Sequence, residues 1–257
     1  MKIEEIRVYA EVLEQGLDFK EYLIKAGFNG EIHNVYTKKS RKEITSKDSL
    51  TDRIRKCKDV DVLLTAIIGD NEFPLLMIEY STAVPTDDHK MQRSDVYFWS
   101  SVFKVPILKI YPTNKGMDQQ FGGGDKFTDE MEEVLAFRKG GLFYPVNWRT
   151  IKGLDTLETK KNALSCIYYS EEIFDLIKTI LLSFKQSSNY SDYFIFLRKD
   201  YETKHKSILL KYKDNDLTSI IVNSTRFNWV NNKLTSKINR FGHAMDLIEE
   251  YYILLIC

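Results

Sequence analysis

The chain has 257 residues, with 37 basic against 37 acidic side chains, 43% hydrophobic and 13% aromatic residues, and only 12 glycines and 5 prolines. This composition excludes disorder as the main theme and suffices for a sizeable core, either as one large domain or as a core with an appendage. Cys57, Cys166 and Cys257 are too sparse and too far apart for a disulfide framework or a zinc site, which points to a reducing, cytoplasmic setting, and no apolar run approaches the ~20 residues of a membrane span, so no membrane role is expected.

The apolar positions between residues 3 and 26 recur with helical spacing and break near Gly16, which predicts two short helices. Gly27 to Gly30 reads as a turn, and Glu31 to Thr37 alternates as a strand does. Between Thr37 and Lys58 stand nine basic residues (Lys38, Lys39, Arg41, Lys42, Lys47, Arg53, Arg55, Lys56, Lys58) against three acidic ones (Glu43, Asp48, Asp52), with a partly helical stretch from Ser49 to Lys56. Val60 to Ile68 reads as a buried strand, Gly69-Asp70-Asn71 as its turn, and Leu75 to Ser81 as the strand that returns beside it. Thr86-Asp87-Asp88 offers an N-cap and first-turn acids for a helix from His89 to Phe103, and Pro106 to Tyr111 reads as a further strand. Beyond it the sequence predicts a Gly-rich loop (115–128), a short helix (129–138), a longer helix (157–186), a set of strands (190–230) and a return to helix over the last 25 residues. The apolar ending Tyr251 to Cys257 reads either as a chain cut short or as a buried terminal helix or strand.

The chemistry lies in two carboxylates embedded in adjacent apolar strands. Asp61 opens VDVLLTA and Glu79 comes near the end of LLMIEYS, and a hairpin turning at residues 69–71 brings the two positions together. An ionised carboxylate among Val, Leu, Ile and Met needs a cationic partner, and an oxygen-rich pair suits a hard divalent ion such as Mg²⁺, with Mn²⁺ as substitute.

In this order the residues resemble the PD-(D/E)XK, or restriction-endonuclease-like, nuclease superfamily. The match is Val60-Asp61-Val62-Leu63-Leu64, then Ile78-Glu79-Tyr80-Ser81, then the helix from His89 and the strand PILKIY, over roughly residues 1 to 112. The resemblance implies an α/β (α+β) fold with a mixed central sheet flanked by helices, a nuclease-like core over 1–115, and a C-terminal α/β extension over 116–257 that completes the domain and contributes DNA contacts. It implies metal-ligand roles for Asp61, Glu79 and the backbone carbonyl of Tyr80. It further implies hydrolysis of phosphodiester bonds in double-stranded DNA, as in a type II restriction endonuclease, with two cuts requiring two centres and hence a homodimer. The sequence departs from the pattern where Ser81 stands at the family's lysine and where the preceding proline is absent. In some members the basic residue moves to the following helix, so Lys90, Gln92 and Arg93 are the candidates to supply the charge and a hydrogen bond at the scissile phosphate. If they do not, the alternative is a catalytically silent relative, or one subunit of a heteromeric nuclease, that binds nucleic acid without cutting alone.

Other features have simpler readings. Gly122-Gly123-Gly124 lacks the Gly-Lys-Ser/Thr ending of a phosphate loop, and Asp129, Glu130, Glu132 and Glu133 read as the solvated first turn of a helix. His243 reads as a packed or capping histidine, Arg226 and Asn228 as turn residues or readers of base edges, and Glu11 as an exposed helical acid or a third acid near the metal.

Overall fold

In the computed structural model the alternation of Ile6, Val8 and Ala10 prevails over their helical spacing, and Glu5–Ala10 is a strand, β1. The structure describes residues 1–37, 49–58, 60–80, 95–111, 128–147, 170–214, 217, 227–230 and 233–236. The two short helices expected over residues 3–26 are thus corrected to one strand followed by one helix, α1 (Leu13–Lys25). The strand wins because it finds ladder partners on both sides: β2 (Glu31–Tyr36) runs parallel to it and β3 (Val62–Ile68) antiparallel. Between β2 and β3 lies α2 (Leu50–Cys57), capped by the Ser49 hydroxyl, which accepts from the Asp52 amide at 3.0 Å.

β3 returns through a two-residue turn into β4 (Asn71–Tyr80), with Ile68 paired to Asn71 and Gly69 at a φ of 55°. A positive φ at the first central position is what a hairpin turn of the II′ kind requires. Near Leu64 the register shifts, so that Leu64 faces Leu76 while Thr65 faces Pro74. Pro74 has no N–H to give the ladder, and the carbonyls left over at this bulge are taken up from outside the sheet. Tyr190 donates to the Pro74 carbonyl and Tyr193 to that of Leu75, each at 2.7 Å.

There follow α3 (Asp95–Phe103), β5 (Ile107–Tyr111), α4 (Asp129–Arg138), β6 (Phe143–Asn147), α5 (Glu171–Gln186), α6 (Tyr190–Lys204), α7 (Lys206–Lys211) and a small hairpin of β7 (Phe227–Val230) and β8 (Lys233–Ser236). The fold is α/β. Its six-stranded sheet has the order β2-β1-β3-β4-β5-β6, and β3 alone runs against its neighbours. One face, carrying Val8, Leu64, Ile78 and Leu108, is covered by α1, α5 and α6; the other, carrying Tyr9, Leu63, Met77 and Ile107, packs against Ile54 of α2, Phe103 of α3 and Val134 of α4.

The strands expected between residues 190 and 212 are helices. Aromatic-rich YSDYFIFLRKDY favours a strand locally, but Tyr193, Phe194, Leu197 and Tyr201 fall on one helical face and are all buried, and Asn189 caps the start by accepting from the Asp192 amide. The strand expectation does hold at Phe227–Val230. Among the described residues no helix is long and apolar enough to cross a membrane.

Candidate active site

Four elements meet at one end of the sheet, and the register fixes what they present there. Ala10 pairs with Val62, Val62 with Ile78, and Ile78 with Leu108; all four lie on the face covered by α1. One residue further on in β4 and β5, alternation turns Glu79 and Lys109 to the opposite face. That next row consists of Glu11, Asp61, Glu79 and Lys109: the Glu11 amide donates to the Asp61 carbonyl at 3.0 Å, and Glu79 is in register with Lys109. Glu79 therefore lies on the side of Met77 and α2, while Asp61, in the bend before β3, is placed by its own contact with the end of β4. Glu11 belongs to the turn between β1 and α1, beside Asp61, rather than to a helix.

Each carboxylate has a defined hold. Asp61 Oδ2 accepts from the Tyr80 amide at 2.7 Å, which fastens the acid to the end of β4. Glu79 Oε1 lies 3.2 Å from Lys58 Nζ, with the two side chains 15% and 18% exposed and Oε1 itself buried, so the pair is largely shielded from solvent. Lys58 follows the end of α2, where its amide closes the helix on the Ile54 carbonyl at 2.7 Å. A cation is favoured there by the helix dipole, and Arg55 and Lys56 share that last turn. Of these three cations it is Lys58 that reaches the acid on β4.

Lys109 has a different environment. It is 3% exposed in its side chain and lies 3.8 Å from Glu132 of α4, which is fully buried, and 5.9 Å from the centre of the Phe143 ring. Glu132 and Glu133 were expected on a solvated helix face, and the structure corrects both. Glu132 is buried with Lys109, while Glu133 accepts from the Tyr201 hydroxyl and lies 2.7 Å from His205 Nδ1. Their burial follows from α4 packing against the sheet on the side that carries these acids.

On the other face, the Tyr80 ring meets Phe19 of α1 edge-on at 6.5 Å, and burial, reinforced by Asp18, Tyr22 and Asp61, holds its phenol well above the ordinary value. Asp18 is 6% exposed and its pKa is pushed up to about 7, by burial first and then by Glu14 and Glu21.

Lys90, Gln92 and Arg93, the basic stretch 38–48, the Gly-rich loop, Arg226 and His243 lie outside the described residues, as does Ser81. Asn228 falls in β7. Sequence reasoning missed Lys109 and Asp18, and it counted Lys58 only as one of a basic run. A lysine inside the apolar stretch PILKIY was the available sign for Lys109; the contact of Lys58 with Glu79 had none, because it depends on how α2 docks.

Asp61, Glu79 and the carbonyl of Tyr80 are all oxygen donors near the end of β4, and Glu79 lies against the ammonium of Lys58. That chemistry fits Mg²⁺, which takes one or two carboxylates and completes its shell with water or substrate oxygens. Among the described residues, the trio of potential ligands whose donor atoms all lie within 4.8 Å of one another is Glu5, Glu31 and His33, at the opposite end of β1 and β2 and largely exposed. No family model matches the chain, and neither the curated proteins nor the solved structures contain a match to it.

Proposed function

We propose that the protein is a metal-dependent DNA endonuclease resembling the PD-(D/E)XK superfamily, of the type II restriction kind, acting on double-stranded DNA. The observation that supports this reading is that Asp61 is held on the end of β4 by the Tyr80 amide, next to Glu79 of the same strand, with a helix and β5, parallel to β4, following in the chain. Asp61, Glu79 and the Tyr80 carbonyl would hold Mg²⁺, or Mn²⁺ in its place. When bound, the ion supplies Lewis-acid polarisation of the phosphoryl oxygen and a more acidic water.

The chain's own residues do the rest. Tyr80 donates its amide to Asp61 and fixes that carboxylate before substrate arrives. Arg53, Arg55, Lys56 and Lys58, on or just after α2, draw the phosphate backbone towards the same strand ends, supplying affinity that does not depend on base sequence. Hydrolysis then joins a water oxygen to phosphorus and breaks one P–O ester bond, the departing oxygen taking up a proton.

Supercoiled plasmid with Mg²⁺ tests the proposal. Wild-type protein should nick or linearise it, and Glu79→Ala should reduce cleavage by about 100-fold or more while DNA binding persists. Unchanged cutting by that variant would move the site elsewhere. A second reading, a silent relative or one subunit of a heteromeric nuclease, is favoured by serine at position 81; it gains if purified protein binds DNA but does not cut with Mg²⁺ or Mn²⁺. Two cuts in a duplex would call for two copies of the centre, so a homodimer is the assembly expected of an active enzyme.

A further inference from the structure

Serine at position 81 leaves the strand of Glu79 without the cation that the family pattern places two residues on, and the described residues offer three other sources near this row. Lys109 is in register with Glu79 but is directed into the interior, 3% exposed and facing fully buried Glu132. Arg55 lies over the Tyr9 ring at 5.0 Å, and Lys56 is tied to Asp52 at 2.6 Å. Lys58 differs from all of these: its ammonium touches the site carboxylate directly at 3.2 Å and keeps 18% of its side chain exposed.

We propose that Lys58 is the catalytic cation of this site, its ammonium resting on Glu79 in the metal-free protein and serving the scissile phosphate once a divalent ion occupies the carboxylates. The inference rests on the nuclease proposal and deepens it. Two features of Lys58 suit the dual role. Its backbone is anchored by the hydrogen bond that ends α2, while its four-carbon stem lets the ammonium move from one partner to another. Its position also places positive charge beside Glu79, whose carboxylate would otherwise repel an incoming phosphate. Because the ammonium and a divalent ion use the same carboxylate, they compete for Glu79 when no DNA is present.

Two measurements on the full-length chain test this. The first is Mn²⁺ affinity without DNA, read by electron paramagnetic resonance. Lys58→Met should bind Mn²⁺ at least about tenfold more tightly, the effect of losing one contacting charge, and Lys58→Arg should stay near wild type. The second is single-turnover plasmid cleavage at saturating Mn²⁺, which should fall about 100-fold in Lys58→Met and be partly retained in Lys58→Arg. Cleavage at the wild-type rate by Lys58→Met overturns the assignment while leaving the nuclease proposal standing. Unchanged or weaker Mn²⁺ binding by Lys58→Met overturns it as well, because the competition would then be absent. Wild-type protein that never cuts plasmid, whatever its Mn²⁺ affinity, brings down the nuclease proposal and this inference together.

Discussion

Asp18 makes a sharp prediction about stability and pH. It sits on α1 at 6% exposure, its Oδ1 buried with no hydrogen-bond partner among the described residues. Glu14 lies one turn before it and Glu21 one turn after, Tyr22 shares the helix, and the charge environment of nearby Tyr80 includes both Asp18 and Asp61. Burial chiefly, and then the two glutamates, raise its pKa from 3.8 to about 7. A carboxyl whose folded pKa lies above its unfolded one holds a proton that the unfolded chain has lost, so stability must fall as pH rises through that interval and level off above it. The gap between 3.8 and about 7, at 1.36 kcal/mol for each pH unit, comes to about 4 kcal/mol of destabilisation at full ionisation. Asp18→Asn removes the titration and keeps the shape. Urea unfolding of wild type and variant should therefore agree near pH 4 and diverge progressively, with the variant more stable by about 4 kcal/mol at pH 8. Two curves that stay parallel from pH 4 to pH 8 would refute the argument, since nothing but this carboxyl differs between the chains.

Other expectations follow from equally local geometry. The Ser100 hydroxyl, fully buried, donates to the Val105 carbonyl at 2.7 Å and accepts from the Leu142 amide at 2.9 Å; Ser100→Ala orphans that amide and the Val105 carbonyl and should cost about 2–4 kcal/mol in chemical denaturation. Glu72 accepts from Tyr9 and Thr65, each at 2.7 Å, with Arg7 at 3.9 Å, so Glu72→Ala should lose about 2–3 kcal/mol and Glu72→Gln clearly less, by the same assay. If basic α2 tracks phosphates, DNA affinity should drop steeply between 50 and 200 mM salt, and the slope should shrink by about one in Lys56→Ala. A flat salt response would remove α2 from the interface.

Amino-acid order alone determined much of the sheet. β2, β3, β4 and β5 are legible because their apolar residues alternate or run unbroken between turn signals, and Gly69 marks the hairpin that pairs Val62, next to Asp61, with Ile78, next to Glu79. Local pattern also located α2 and α4, whose Ser49 and Thr128 caps precede amphipathic or acidic first turns. Tertiary structure decided what local preference left ambiguous or misdirected. The β1 segment satisfies two periods, and only strand partners on both sides select the strand; α6 has strand-like aromatics, and burial of one helical face selects the helix. The same holds for charge. Nothing in the string shows that Lys58 reaches Glu79, that Lys109 meets Glu132, or that Asp18 is shut away from water, because each depends on how a helix docks against the sheet. Periodicity records which face of an element is apolar, whereas electrostatic partnership depends on three-dimensional distance, which only the packed chain sets.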